Sequence, residues 1–104
     1  MKILVRRSPI HGLGVFAAKT IRKGERIGRY VSRRTTRDGT YVLWLHDDET
    51  NTVTGYKGLG RLRFLNHSSQ PNSEFRGLDL YALRTIRRGL EITFHYGEDW
   101  ADVA

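Results

Sequence analysis

The amino-acid sequence predicts a mostly β fold made of several short sheets with little helix. Short apolar or alternating runs recur along most of the chain, and glycines separate many of them, which is typical of a many-stranded protein. Helical periodicity is scarce over the same length. With 104 residues, of which 38% are hydrophobic, the chain suits one small core and is too short for a second. We therefore predict a single domain over residues 1–104.

Six segments have the β-branched and aromatic content of short, half-buried strands. They are residues 3–5, 14–17, 26–31, 41–45, 80–83 and 92–94. A helix is expected only around residues 60–65, where it would make about one turn. Strands this short fit several small sheets better than one large sheet.

Two segments of the sequence echo each other. Residues 17–25 and 82–91 both run from a strand through a basic turn to a glycine and a second strand. We expect Ile21 and Ile86 to enter the core, and Gly24 and Gly89 to supply the backbone freedom that reverses the chain. This predicts two similar turns and no array of repeats.

The composition excludes several kinds of site. The absence of cysteine excludes disulfides, thiolate-zinc sites and cysteine nucleophiles. The histidines lack the His-x-x-x-His spacing that places two ligands on one helix face, so we predict no metal site. These histidines are His11, His46, His67 and His95.

The charge and the amino terminus bear on partners and location. A net charge of +7 predicts nonspecific attraction to nucleic acid, although a solvated basic surface also explains it. The amino-terminal apolar run is too short for a signal peptide or a membrane span, so the expectation is a cytoplasmic protein with no membrane partner. Because so small a domain has a small core, a partner subunit would add stability, and the sequence leaves a homodimer as an alternative to a monomer.

Three segments are candidates for chemistry. Residues 63–72 read Arg-Phe-Leu-Asn-His-Ser-Ser-Gln-Pro-Asn, a dense polar cluster that also fits a well-capped loop. Residues 94–97, Phe-His-Tyr-Gly, end a predicted strand where a tyrosine is often a core aromatic. Residues 12–14 are Gly-Leu-Gly, and a lone Gly-x-Gly is weak evidence for a ligand.

In their order and spacing, these three segments resemble the SET-domain family of protein-lysine methyltransferases. The resemblance also takes in residues 10–18, the basic turn at 23–25 and residues 80–86, so it covers nearly the whole chain. Asn-His-Ser and Thr-x-x-Tyr are its specific elements. The family implies a SET-domain, β-clip-like fold whose carboxy-terminal segment passes under a loop as a pseudoknot.

The resemblance implies transfer of a methyl group from S-adenosylmethionine to a lysine ε-amine of a protein substrate. Histones, histone-like proteins and other basic proteins are the implied substrates. In the family's pattern, Asn66 bonds the amino-acid end of the cofactor and His67 contacts adenine through its backbone. The implied cofactor-binding residues are Gly12, Leu13, Gly14, Tyr30, Arg63, Phe64, Asn66, His67, Tyr96 and Trp100.

Tyr96 matches the family's catalytic tyrosine. Methyl transfer is an in-line displacement that requires alignment, exclusion of water and a neutral amine, and the tyrosine hydroxyl would orient that amine. Phe75, Tyr81 and Phe94 are the implied walls of the substrate channel. Because phenylalanine at position 94 has no hydroxyl to hold a water beside the amine, it leaves room for a methylated nitrogen and favours di- or trimethylation.

The chain also departs from the larger family members. It lacks their cysteine-rich zinc-binding flanks, it has Ser69 in place of a cysteine, and His95 stands where an acidic residue commonly precedes the tyrosine. The short segment 39–60 predicts a minimal SET domain. Two alternatives stay open: an inactive SET-like module that binds nucleic acid or a basic protein, and a partner that binds the cofactor without turnover. Retention of Asn66 and Tyr96 favours the enzyme.

Overall fold

The computed structural model describes residues 2–39 and 41–95. In this part of the chain no helix is long and apolar enough to cross a membrane. It contains ten strands and one 3-10 helix, Arg61–Phe64. The strands are Ile3–Arg7 (β1), Leu13–Ala17 (β2), Arg26–Arg29 (β3), Ser32–Thr35 (β4), Val42–Asp47 (β5), Thr52–Gly58 (β6), Asn66–His67 (β7), Ser73–Arg76 (β8), Asp79–Ala82 (β9) and Glu91–Phe94 (β10).

The strands form three small sheets, which confirms the predicted mostly β fold. Their orders are β1-β2-β10-β7, β3-β9-β8 and β4-β6-β5. Neighbours are antiparallel except β7 and β10, which pair in parallel through Asn66 with Thr93 and His67 with Phe94. All six predicted strands are present, with ends shifted by one or two residues. The expected helix is a 3-10 turn.

Four strands, β4, β6, β7 and β8, were missed by the sequence prediction. β4 reads Ser-Arg-Arg-Thr and carries no apolar residue, so its strand form depends on pairing with β6. β6 contains Gly55, which leaves room for the indole of Trp44 because a Cβ there would lie 2.7 Å from that ring. β7 has two residues and exists only through its partner β10.

The two echoing segments pack directly against each other. The amide of Ile21 donates to the carbonyl of Ile86 at 2.8 Å, and the amide of Ile86 donates back at 2.7 Å. Both isoleucines are fully buried, at 0% and 1% exposure. Gly24 and Gly89 have φ values of 83° and 90°, the left-handed conformation that the predicted turns require.

The pairing around the two turns is reciprocal. The amide of Gly24 donates to the Ala82 carbonyl and that of Gly89 to the Ala17 carbonyl, each at 2.8 Å. The first unit runs from β2 through its turn to β3, and the second runs from β9 through its turn to β10. The second strand of each unit pairs with the first strand of the other: β3 pairs with β9, and β10 pairs with β2. Neither unit buries its isoleucine without the other.

The last strand, β10, lies between β2 and β7. Its backbone is also held by the side chain of Asn72, whose Nδ2 donates to the Glu91 carbonyl at 2.8 Å and whose Oδ1 accepts from the Thr93 amide at 2.9 Å. Ser73 Oγ donates to the Thr93 carbonyl at 2.6 Å. The polar segment predicted as a site therefore wraps the final strand. The part of the expected pseudoknot after His95 lies outside the described residues.

Replacing Ile86 by alanine should lower the free energy of unfolding by about 2–5 kcal/mol, because it leaves a cavity at the junction of the two turns. The matched control is Ile10→Ala. Because Ile10 is 51% exposed, this replacement should change the free energy of unfolding by no more than about 0.5 kcal/mol. Urea titration followed by tryptophan fluorescence gives both values. Equal losses in the two variants would contradict the junction as the centre of the core.

Candidate functional site

A cleft of about 690 Å³ lies between the loop before β2, the start of β5, the 3-10 helix and β7. Its volume is within the range of small-molecule sites. The cleft brings together nine of the residues singled out from the sequence: Gly12, Leu13, Tyr30, Arg63, Phe64, Asn66, His67, Phe75 and Phe94. Gly14 and Tyr81 are not among the lining residues. Tyr96 and Trp100 lie outside the described residues.

Asn66 ties the two halves of the cleft together. Its Nδ2 lies 3.1 Å from the carbonyl oxygens of His11 and Leu13 and 2.9 Å from Oε2 of Glu91. The His11 carbonyl belongs to the loop before β2, the Leu13 carbonyl to the first residue of β2, and Glu91 to β10. One amide therefore fixes the position of the loop relative to the last strand.

The carboxylate of Glu91 is the partner that orients this amide. Ser8 Oγ lies 2.7 Å and 2.8 Å from its two oxygens, and the same hydroxyl accepts from the Ile10 amide at 2.9 Å. Sequence reasoning missed Glu91 and Ser8. The signal for Glu91 was its place in Glu-Ile-Thr-Phe-His-Tyr, but the contact with Ser8 spans 83 positions and has no local signature.

Gly14 supports the site from behind the cleft. A Cβ at this position would overlap Oε2 of Glu91 and would lie 2.9 Å from Cβ of Ser8. The missing side chain thus gives the Glu91 carboxylate the space in which it meets Ser8 and Asn66. Gly12, by contrast, has φ of 46° and open space where a Cβ would stand, so the loop backbone faces the cleft without obstruction.

Three aromatic rings form one wall. Phe75 packs edge-on against Tyr30 with centroids 5.7 Å apart, and against Phe94 with centroids 5.5 Å apart. The hydroxyl of Tyr30 donates to the carbonyl of Tyr41 at 2.7 Å. Tyr41 has φ of 66°, a rare conformation for a residue with a side chain. Its carbonyl accepts from the Tyr30 hydroxyl and also from the Gly58 amide, which fixes this backbone.

Arg63 and Phe64, from the 3-10 helix, also line the cleft. The guanidinium carbon of Arg63 lies 4.2 Å from the Phe64 ring centroid and 5.8 Å from that of Tyr41. Nη1 of Arg63 donates to the carbonyls of Leu59 and Gly60 at 3.0 and 2.9 Å. Tyr41, His11 and Leu62 line the cleft too, although sequence reasoning did not select them.

Tyr81 lies on another surface. Leu80, its neighbour on β9, is fully buried, so the alternation of the strand turns Tyr81 to the opposite face. There its ring is covered by the Arg76 guanidinium at 4.6 Å.

His67 and His95 stack at the edge of the cleft, with ring centroids 4.6 Å apart. Burial lowers the pKa of His67, and the neighbouring His95 lowers that pKa further because two imidazolium charges would repel each other. Both effects favour the neutral form of the His67 imidazole. Within residues 2–39 and 41–95, no group of three His, Cys, Asp or Glu side chains is arranged to hold a metal ion.

Comparisons with known proteins agree on one family. The SET-domain model matches residues 12–97. The histone-lysine N-methyltransferase MEDEA of Arabidopsis thaliana is 32% identical over 97% of this chain and 18% of its own length. Human histone-lysine N-methyltransferase 2B is 32% identical over 88% of this chain and 4% of its own length. The chain thus spans less than a fifth of these relatives.

A solved structure gives the same result at the level of the fold. The crystal structure of a candidate histone methyltransferase from Plasmodium falciparum superposes with a TM-score of 0.69 and 27% identity, covering 95% of this chain and 96% of that one. This chain belongs to the SET-domain family.

The lowered pKa of His67 predicts that the protein loses stability as the pH falls below about 6.5, the ordinary pKa of histidine. In that range the unfolded chain takes up a proton at His67 that the folded chain does not, so protonation stabilises the unfolded state relative to the folded state. His67→Asn should flatten the loss between about pH 7.5 and 5.5 in urea titrations. His11→Asn, which replaces an exposed histidine in the loop before β2, is the control. An unchanged slope in the His67 variant would contradict the assignment.

Proposed function

We propose that this protein is an S-adenosylmethionine-dependent protein-lysine methyltransferase. The observation that carries the proposal is the Asn66 amide, which joins the Gly12-containing loop to β10 and so brings three sequence motifs to one cleft. Tyr96 follows the last described residue of β10 by two positions. The relatives named above support the reaction, since both are named histone-lysine N-methyltransferases.

The residues of the cleft fit S-adenosylmethionine. Gly12 provides open backbone, Asn66 a fixed amide, and the half-buried Phe64 an aromatic ring suited to packing against adenine. The lowered pKa of His67 disfavours a positive charge beside a cofactor that carries one on its sulfur. When bound, the cofactor supplies an electrophilic methyl group.

The chain's own residues would position the substrate amine and exclude water. Phe75 and Phe94 form an apolar wall that disfavours the charged ammonium form of lysine and helps it lose its proton. The Tyr96 hydroxyl would orient the resulting lone pair. Such alignment in a dry channel is the main requirement of methyl transfer.

A protein lysine is the proposed substrate, and histones or similar basic proteins are its first candidates, because the relatives are named for them. Because Phe94 has no hydroxyl, it cannot hold a water molecule beside the substrate amine. We propose that the space left there lets the enzyme add more than one methyl group.

We expect S-adenosylmethionine and its demethylated product to raise the melting temperature in proportion to their affinity. Asn66→Ala removes both the amide and its link to Glu91, and it should weaken cofactor binding by about 10- to 100-fold, the effect of losing one charge-assisted hydrogen bond. Gln70→Ala removes an exposed amide from the same segment and should bind normally. Calorimetry measures all three proteins. No heat with wild type at millimolar ligand would refute the proposed activity.

Tyr96→Phe should bind the cofactor but transfer methyl groups on the order of 100-fold more slowly, because it loses a hydroxyl needed in the transition state. Single-turnover transfer to a histone preparation, with radiolabelled methyl groups, measures the rate. Tyr81→Phe is the control, since Tyr81 lies away from the cleft. Full activity of the Tyr96 variant would remove that residue from the mechanism.

A further inference from the structure

The positive charge of the chain is concentrated in the two echoing turns. Residues 18–25 and 83–90, named here the basic double turn, contain six exposed cationic side chains: Lys19, Arg22, Lys23, Arg84, Arg87 and Arg88. With these six and the Lys2–Glu25 ion pair set aside, the other described residues contain 11 basic and 7 acidic side chains. The 16 residues of the double turn therefore carry six cations, while the rest of the described chain carries a net charge of +4. The asymmetry marks one surface for a polyanion.

The fold brings the six cations into one patch. The reciprocal bonds between Ile21 and Ile86, at 2.8 and 2.7 Å, set the two turns side by side. Their isoleucines are buried while the basic residues on both sides remain exposed. Mutual repulsion of like charges disfavours such a cluster unless a partner of opposite charge offsets it.

Within the described residues, the carboxylate of the first turn is occupied and the second turn has none at the equivalent position. Glu25 accepts from Lys2 Nζ at 2.9 Å and from the Arg22 amide at 3.2 Å. The equivalent position in the second turn is Leu90, which is 53% exposed. Nη2 of Arg84 donates to the Pro71 carbonyl at 2.7 Å, which fixes the side chain but leaves its charge uncompensated. In the described part of the chain, none of the six cations forms a salt bridge.

The patch and the cleft lie at opposite ends of the same strand pair. β2 runs from Leu13 at the cleft to Ala17 at the first turn, and β10 runs from the second turn to Phe94 at the cleft. At about 3.3 Å per residue, the strands separate the two surfaces by roughly 10–13 Å. The basic double turn is therefore a surface separate from the cleft.

We propose that the basic double turn binds the phosphate backbone of duplex nucleic acid. Four of the six cations are arginines, whose planar guanidinium groups suit phosphate oxygens. Neither turn contains an aromatic residue, whereas single-strand binding surfaces usually stack bases on aromatic rings. Contact through phosphates alone fits a duplex and predicts binding without sequence preference.

The test compares two double variants of equal charge. Arg87→Gln/Arg88→Gln alters the patch, and Arg33→Gln/Arg34→Gln removes two neighbouring exposed arginines from β4. Fluorescence anisotropy with a labelled duplex of about 20 base pairs, titrated between about 50 and 200 mM salt, gives affinity and its salt slope. The patch variant should bind at least about tenfold more weakly at low salt, with a slope reduced by about one to two units. The β4 variant should change affinity by less than about threefold.

Two outcomes would overturn the proposal. Equal losses in both double variants would show attraction to net charge alone, and stronger competition by polyglutamate than by duplex at equal charge would assign the patch to an acidic protein. Arg22→Gln/Lys23→Gln should reproduce the patch variant, since its turn is the equivalent half. Melting curves confirm that each variant is folded. Because no cofactor is present, the result is independent of the proposed methyl transfer.

Discussion

The pairing of β10 with β2 on one side and β7 on the other is the constraint on which the structure depends. The antiparallel side, Glu91 with Phe16 and Ile92 with Val15, belongs to the core. The parallel side holds Asn66 and His67 against Thr93 and Phe94 and so forms the floor of the cleft. Since β7 has two residues and pairs with no other strand in the described chain, the geometry of the cleft exists only when the last strand is in place.

The polar cluster beside β10 sets the position of the loop that precedes β2. Glu91, Ser8 and Asn66 would each be costly to bury alone, but together they satisfy one another and bind the Gly12-containing loop. Gly14 is the steric condition for this arrangement, because any side chain there would displace the carboxylate. The two glycines of the Gly-x-Gly element therefore have different roles. Gly12 exposes its backbone to the cleft, and Gly14 leaves space for the Glu91 carboxylate that orients Asn66.

Local patterns in the sequence predicted what depends on local physics. Apolar runs located six strands, and the glycines with positive φ located both turns. The family resemblance selected nine residues that line the cleft, which composition and periodicity could not do. The features that the sequence did not predict depend on contacts between residues far apart in the chain. The strand β7 forms only by pairing with β10, and Ser8 bonds Glu91 across 83 positions. The face on which Tyr81 lies depends likewise on how β9 packs in its sheet. No local signal reports such contacts.

The exchange of strands between the two echoing units explains how the described residues form both a core and a cleft. Each unit contributes a buried isoleucine, yet β3 pairs with β9 and β10 with β2, so each isoleucine is enclosed by strands from both units. The shared interior lies at the turns, where Ile21 meets Ile86. The other ends of β2 and β10 reach the cleft, where Leu13 is exposed and Phe94 is both a lining residue and a member of the buried core. One continuous core thus runs along the strand pair from the paired isoleucines to the wall of the cleft, so the packing that stabilises the chain also fixes the shape of the site.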